Sequence, residues 1–186
     1  MDYLLSGIHK MYKALLIALS ASVAFTAQAE QEKEYLTQDF YVGGNLSSYS
    51  LEGNNGASFG AHVGAKNIYN ERFLVGGEFV IAGYGSSDFE KEQNASEKYS
   101  IAGNIPLGVR IDAGNALNVD IYGLLGYKVL FLDGASDDYI KGVSFGAGAD
   151  LDFKHWALGL QFSRTEYDYE ITDNTVMLKG SYKFNL

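Results

Sequence analysis

From Asp39 to the C-terminus, apolar and polar residues alternate one by one, the period of a β-strand whose two faces meet unlike surroundings. The pattern breaks into about eight segments, at 39–50, 57–68, 72–85, 97–112, 117–131, 139–153, 156–167 and 174–186. The fourth is the clearest: Tyr99, Ile101, Gly103, Ile105, Leu107, Val109 and Ile111 oppose Ser100, Ala102, Asn104, Pro106, Gly108, Arg110 and Asp112. In the sixth, Val143, Phe145, Ala147, Ala149 and Leu151 oppose Gly142, Ser144, Gly146, Gly148, Asp150 and Asp152. Short connections are expected near Asn70, Asn115 and Lys154-His155, and longer polar ones near 51–56, 86–96, 132–138 and 168–173. Alternating short and long connections predict an all-β, up-and-down antiparallel barrel. Pro106 sits inside a strand, where it removes a ladder hydrogen bond, and predicts a bulge.

The first residues differ in character. His9, Lys10 and Lys13 precede an apolar run from Ala14 to Ala24, too short to cross a bilayer as a helix, and Ala27-Gln28-Ala29 is a small-x-small cleavage site. Residues 1–29 are therefore read as a signal peptide, 30–38 as a short periplasmic lead, and 39–186 as the barrel. A second start at Met11 opens an equally good signal peptide.

Composition agrees with strands and turns, with 22 Gly, 14 Tyr and 11 Phe but one Pro and no Cys. Neither disulfides nor thiolate metal sites are available, so stability must come from packing and pairing. Removing residues 1–29 leaves 12 basic against 22 acidic residues, a balance that argues against nucleic acid as a partner.

Two eight-stranded barrels compete, a soluble carrier with apolar groups inside and a membrane barrel with apolar groups outside. The polar faces decide between them. They are built of Gly, Ser, Ala and Asn with isolated charges, which suits a cramped interior and not a solvated surface. On the apolar faces Phe40, Phe73, Phe153, Trp156, Tyr182 and Phe184 lie towards one rim, and Tyr99, Phe131 and Tyr139 towards the other. Such rings are expected to form aromatic girdles at the two membrane interfaces.

With the signal peptide, the opening strand Phe40-Tyr41-Val42-Gly43-Gly44-Asn45, the Ile105-Pro106-Leu107-Gly108-Val109-Arg110 strand and the alternating last strand, the chain resembles the small outer-membrane β-barrel (porin-like) family of OmpX/Ail-type and opacity-type barrels. The resemblance covers the whole mature part. It implies residence in the bacterial outer membrane, contact with lipid and lipopolysaccharide, insertion by the outer-membrane machinery through the last strand, and adhesion to a host or cell-surface ligand. In that family the last strand commonly ends in an aromatic residue; here it ends in Leu186, with Tyr182 and Phe184 in phase.

Charges on the inward face are the candidate chemistry. A turn near Asn70 sets His62 almost opposite Glu78, and one near Asn115 sets Arg110 opposite Asp120. Such ion pairs would hold the interior together; the competing reading is a proton or ion path through Glu78, Arg110, Lys128 and Asp150. A lipid A-modifying enzyme needs a Ser or His with an acidic partner near the outer leaflet. His9 leaves with the signal, His155 falls in a turn and His62 points inward at mid-strand, so no catalytic residue is assigned. The outer connections are acidic: Asp88, Glu90, Glu92 and Glu97, then Asp133, Asp137 and Asp138, then Glu166, Asp168, Glu170 and Asp173. None matches an EF-hand loop, so no metal or cofactor is assigned. The aromatics Phe89, Tyr139, Tyr167 and Tyr169 among them suit contact with another cell's molecules. The expected protein is a monomeric barrel with a structural or surface-binding role, ahead of a narrow pore for small solutes and of an enzyme.

Overall fold

The computed structural model describes residues 36–85, 96–133 and 139–185. The signal peptide, most of the lead, Leu186 and the loop residues Asp88, Phe89, Glu90, Glu92, Asp137 and Asp138 lie outside them. Eight strands follow one another: β1 Leu36–Leu51, β2 Asn54–Tyr69, β3 Phe73–Tyr84, β4 Ser96–Gly114, β5 Leu117–Asp133, β6 Tyr139–Asp152, β7 Trp156–Tyr167 and β8 Thr172–Asn185. Each pairs with its sequence neighbour and β1 closes on β8 in antiparallel register, Val42 against Tyr182 and Leu46 against Leu178. Closure pairs the edges that an open sheet would expose. No helix of the described residues is long and apolar enough to cross a membrane, which says nothing of crossing by strands.

The two faces are those the alternation predicts. Leu46, Phe59, Leu107, Leu125, Leu158, Phe162 and Leu178 stand exposed on the outside, while Asn45, Ser100, Asn104, Ser144, Gln161 and Lys179 are buried within. Apolar outside and polar inside is the reverse of a soluble protein, and it is stable only where the outside meets hydrocarbon.

Three expectations are corrected. The connection at 51–56 is a two-residue turn, Glu52-Gly53, with both residues at positive φ (49° and 84°). Glycine takes that conformation without a Cβ penalty, so the strands run on to Leu51 and resume at Asn54. At the other end, three residues from Asn70 to Arg72 reverse the chain, and Tyr69 pairs with Phe73. That centres the hairpin one residue later than expected and sets His62 opposite Val80 and Glu78 opposite Gly64. Pro106 makes no bulge. The β3–β4 pairing stops after Val75↔Leu107 and resumes at Glu78↔Asn104 in the same register, while Pro106 stays paired with Leu124 of β5. Gly76 and Gly77 face the gap, and the Pro106 ring fills the space above Gly76, so a missing donor is absorbed without an extra residue.

Candidate functional site

Along most strands the inward residues change character in the same order, which stacks the interior in three tiers, with Ile68 and Leu74 as buried apolar exceptions beside the Asn70 turn. The end bearing the tight Asn70 and Asn115 turns holds the charges. Arg110 of β4 donates through Nε to Asp120 Oδ1 at 2.7 Å and through Nη2 to Asp120 Oδ2 at 2.9 Å, Asp152 at 3.0 Å and Asp39 at 3.1 Å. Lys66 of β2 spans Asp120 and Asp150 at 2.8 and 2.7 Å. Lys183 of β8 pairs with Asp152 and with Asp39, the latter at 3.7 Å. Lys179, four residues before on the same face, reaches Glu78 at 3.1 Å. Tyr41 donates to Glu78 and Tyr122 to Asp150, at 3.1 and 3.0 Å.

Every strand but β7 contributes a charged or phenolic group to this lattice, and β7 makes room for it. A Cβ at Gly159 would collide with Asp150 Oδ1, and across the barrel a Cβ at Gly64 would collide with the Tyr41 ring. Buried charges repay their desolvation only when they are fully paired. Here each cation has at least one carboxylate, and most have two.

The middle tier is small and mostly neutral. Ser47, Ser58, Ser100, Asn104, Ser144 and Gln161 line a cavity of about 40 Å3 together with Val80, Ala82, Leu124 and Met177. On its wall the hydroxyls of Ser144 and Thr165, register partners of β6 and β7, meet at 2.8 Å. Above it the third tier is largely apolar: Tyr49, Leu51, Leu130, Ile140 and Tyr167 form a buried cluster, with Tyr84, Leu132 and Ile171 packed against it, and the Tyr49 hydroxyl donates to buried Glu97 at 3.0 Å. Lys128 lies at its base, 2.6 Å from Asp173, to which Thr175 also donates. The β1–β2 turn is tied to the start of β8, since Glu52 N donates to Thr172 O at 3.0 Å and Thr172 N to Glu52 Oε1 at 2.6 Å.

The residues singled out from the sequence therefore divide. Arg110 meets Asp120 as register-paired neighbours, and Asp150 joins the same lattice through Lys66. Glu78 is partnered by Lys179 and Tyr41, and not by His62, whose Nε2 lies 2.8 Å from Ser181 Oγ. Both members of that His–Ser contact are buried. Lys128 stands apart in the outer tier, across the cavity from Glu78, Arg110 and Asp150. Two acids expected in loops are inside: Glu97 is buried, and Asp173 is the partner of Lys128. Tyr167, expected among exposed loop aromatics, is part of the apolar cluster. Among the described residues no group of three or more His, Asp or Glu is placed to hold a metal ion.

Asp39, Lys66, Asp152, Lys179, Lys183, Tyr41 and Tyr122 were not foreseen as partners. Their inward phase was readable, but Lys66 to Asp150 and Arg110 to Asp39 join strands that are not neighbours, which no hairpin register reveals. On the outside, Tyr99 stacks on Phe131 at 4.4 Å, with Tyr139 next at 6.1 Å. At the opposite rim Tyr182 meets Trp156 and Phe184 edge-on, at 5.0 and 5.1 Å. Phe40, Phe73 and Phe153 lie near the strand termini of that same rim.

A closed eight-stranded barrel, apolar without and charged within, defines a membrane barrel, and the chain belongs to the outer membrane protein beta-barrel domain family, whose match spans residues 14–184. The protein accordingly resides in the bacterial outer membrane. Among solved structures it is similar to Ail, the attachment invasion locus protein of Yersinia pestis, with 14% identity, 81% of this chain and 99% of that one covered, and a TM-score of 0.51. A second Ail structure, in complex with the heparin analogue sucrose octasulfate, matches at 13% identity over 81% and 99% of the two chains, with a TM-score of 0.53. Neisserial surface protein A matches at 13% identity over 78% and 97%, with a TM-score of 0.55. No curated protein matches the chain.

Proposed function

We propose that the protein is a rigid, monomeric outer-membrane barrel without catalytic activity, whose role is surface binding through the connections at the β1–β2 end. The observation that carries this reading is the largely apolar third tier. It closes the interior just beneath those connections and, with the Glu52–Thr172 tie, gives them a fixed base. A binding surface held in one conformation loses less entropy on association than a mobile one. The aromatic belts would sit at the two headgroup levels, with lipid and lipopolysaccharide between and around them. Residues 1–29 would be the export signal, and β8 the strand met by the insertion machinery.

The partner differs from the one in the Ail complex. Glu52, Asp133, Glu166, Asp168 and Glu170 stand at the described rim with Lys98 and Arg164, and 86–95 and 134–138 add Asp88, Glu90, Glu92, Asp137 and Asp138 against Lys91, so acids outnumber bases there. Such a surface repels a sulfated glycan and favours a neutral or cationic partner. The test compares cells displaying the protein with cells displaying a variant in which 86–95 and 134–138 are each replaced by Asn-Gly. Loss of adhesion to host-cell monolayers, with the shortened barrel still heat-modifiable on a gel, is the expected result. Equal adhesion by both overturns the reading, and retention of the unaltered protein on immobilised heparin at physiological salt overturns the choice of partner.

A further inference from the structure

The polar rim of the barrel is not level. Arg164 of β7 pairs in register with Asn174 of β8, and Asn174 with Ser50 of β1. In the other direction Arg164 pairs with Phe145 of β6, and Phe145 with Leu125, the middle residue of β5. All five face outward, so one row of neighbours crosses the wall from an apolar half to a polar half. The row climbs, because Ser50 lies beside the Glu52-Gly53 turn whereas Leu125 is at mid-strand.

With strands about 4.8 Å apart and tilted roughly 40°, each step to the next strand rises about 3 Å, and each residue along a strand about 2.5 Å. Taking Leu125 as the mid-level, Arg164 stands about 6 Å above it, Ser48 about 7 Å and Asn174 about 9 Å. On the opposite wall the outward residues at about 8 and 10 Å are Val143 and Val129, and the Phe131 ring, stacked on Tyr99, stands at about 15 Å. The apolar band of such a barrel is about 25 Å tall, so roughly 12 Å of it lies above the middle. Arg164, Ser48 and Asn174 fall inside that upper half, at heights where β5 and β6 present valine.

Arg164 Nε lies 3.5 Å from Glu166 Oε1, and the two side chains are 49% and 57% exposed. Hydrocarbon is a costly surrounding for such a pair. An arginine can snorkel towards the headgroups, but Asn174 and Ser48 are too short to follow, so the headgroups must come down to them. A leaflet thins against a short apolar face at modest cost.

We propose that this dip at β7, β8 and β1 is a docking site for the phosphate-bearing headgroup of an outer-leaflet lipid, drawn below the level of its neighbours. Arg164 is the phosphate ligand, since a guanidinium fork matches phosphate oxygens with two parallel hydrogen bonds, and Glu166 engages that fork only along its Nε edge. Asn174 and Ser48 supply donors beside it. Which leaflet provides the lipid rests on the β1–β2 end facing outward, as in the surface-binding reading; the site itself does not.

The chain has three arginines: Arg72 near the tight Asn70 turn, Arg110 inside and Arg164. Protein isotope-labelled at its guanidinium nitrogens and carrying Arg72→Lys is folded into phosphatidylglycerol vesicles in phosphate-free buffer. Dephasing by lipid phosphorus is expected at Arg164 and absent at the enclosed Arg110; no dephasing at Arg164 overturns the site. Arg164→Leu plus Glu166→Leu is expected to lower the urea unfolding midpoint in these vesicles, with heat-modifiability confirming the fold. A midpoint that holds or rises means that the dip meets plain hydrocarbon, and overturns it too. A disulfide-linked pair formed by Asn174→Cys barrels and not by Val129→Cys barrels puts a second copy of the chain there and overturns the lipid as occupant. These vesicles carry phosphate in both leaflets, so failure here strikes the site alone and leaves adhesion through the loops to its own test.

Discussion

Arg110 and Asp120 face each other across β4 and β5 as register partners and meet through two hydrogen bonds, Nε to Oδ1 at 2.7 Å and Nη2 to Oδ2 at 2.9 Å. The fork geometry of guanidinium on carboxylate fixes both side chains, and the remaining reach of Nη2 ties in Asp39 and Asp152 from β1 and β6. One contact between neighbours thus becomes the hub of a lattice across the lumen.

Arg110→Ala should destabilise the barrel by about 3–5 kcal/mol, because Asp120, Asp152 and Asp39 lose a common partner in a buried site. Urea unfolding in lipid vesicles measures it. Combining it with Asp120→Ala should cost clearly less than the two single losses added together.

Glycine positions separate inside from outside. Gly159 has Asp150 and Lys179 where its side chain would be, whereas Gly77 has open space. Gly159→Ala is expected to cost about 1–3 kcal/mol by overpacking, and Gly77→Ala to be close to neutral, measured by the same unfolding midpoint.

The interior ion pairs are shielded from solvent, so screening by salt should barely reach them. The unfolding midpoint is expected to move little between dilute buffer and molar sodium chloride. A large drop would place those charges in contact with bulk water.

Leu125 stands outward near the middle of β5. Leu125→Arg puts a charge into hydrocarbon and should cost about 2–4 kcal/mol if that level is the bilayer midplane. Folding yield into vesicles and the unfolding midpoint both report it.

The strands and their faces were legible because a barrel between lipid and a packed lumen imposes a strict period of two on each segment. Turn detail was not. Glu52-Gly53 and Asn55-Gly56 are both hairpin signals in one short stretch, and the chain turns at the first, leaving Gly56 within β2 where the Tyr49 ring needs its space. Reading 51–56 as a loop followed from that ambiguity. Tyr167 was legible in principle, since it continues the inward phase of Gln161, Ser163 and Thr165. Asp173 and Glu97 looked like loop acids because β8 and β4 begin earlier than the apolar alternation does. The charge lattice was only half visible, for its inward charges could be seen but its cross-lumen partners depend on barrel closure.

The central claim is that the apolar face meets lipid, and the single tryptophan tests it most directly. Trp156 is 61% exposed on that face beside Tyr182 and is the only tryptophan in the chain. Folded into vesicles whose acyl chains carry bromine near the headgroups, Trp156 should show blue-shifted fluorescence that is strongly quenched by the lipid and little affected by aqueous iodide. Red-shifted emission, quenched by iodide and untouched by brominated lipid, would contradict the account.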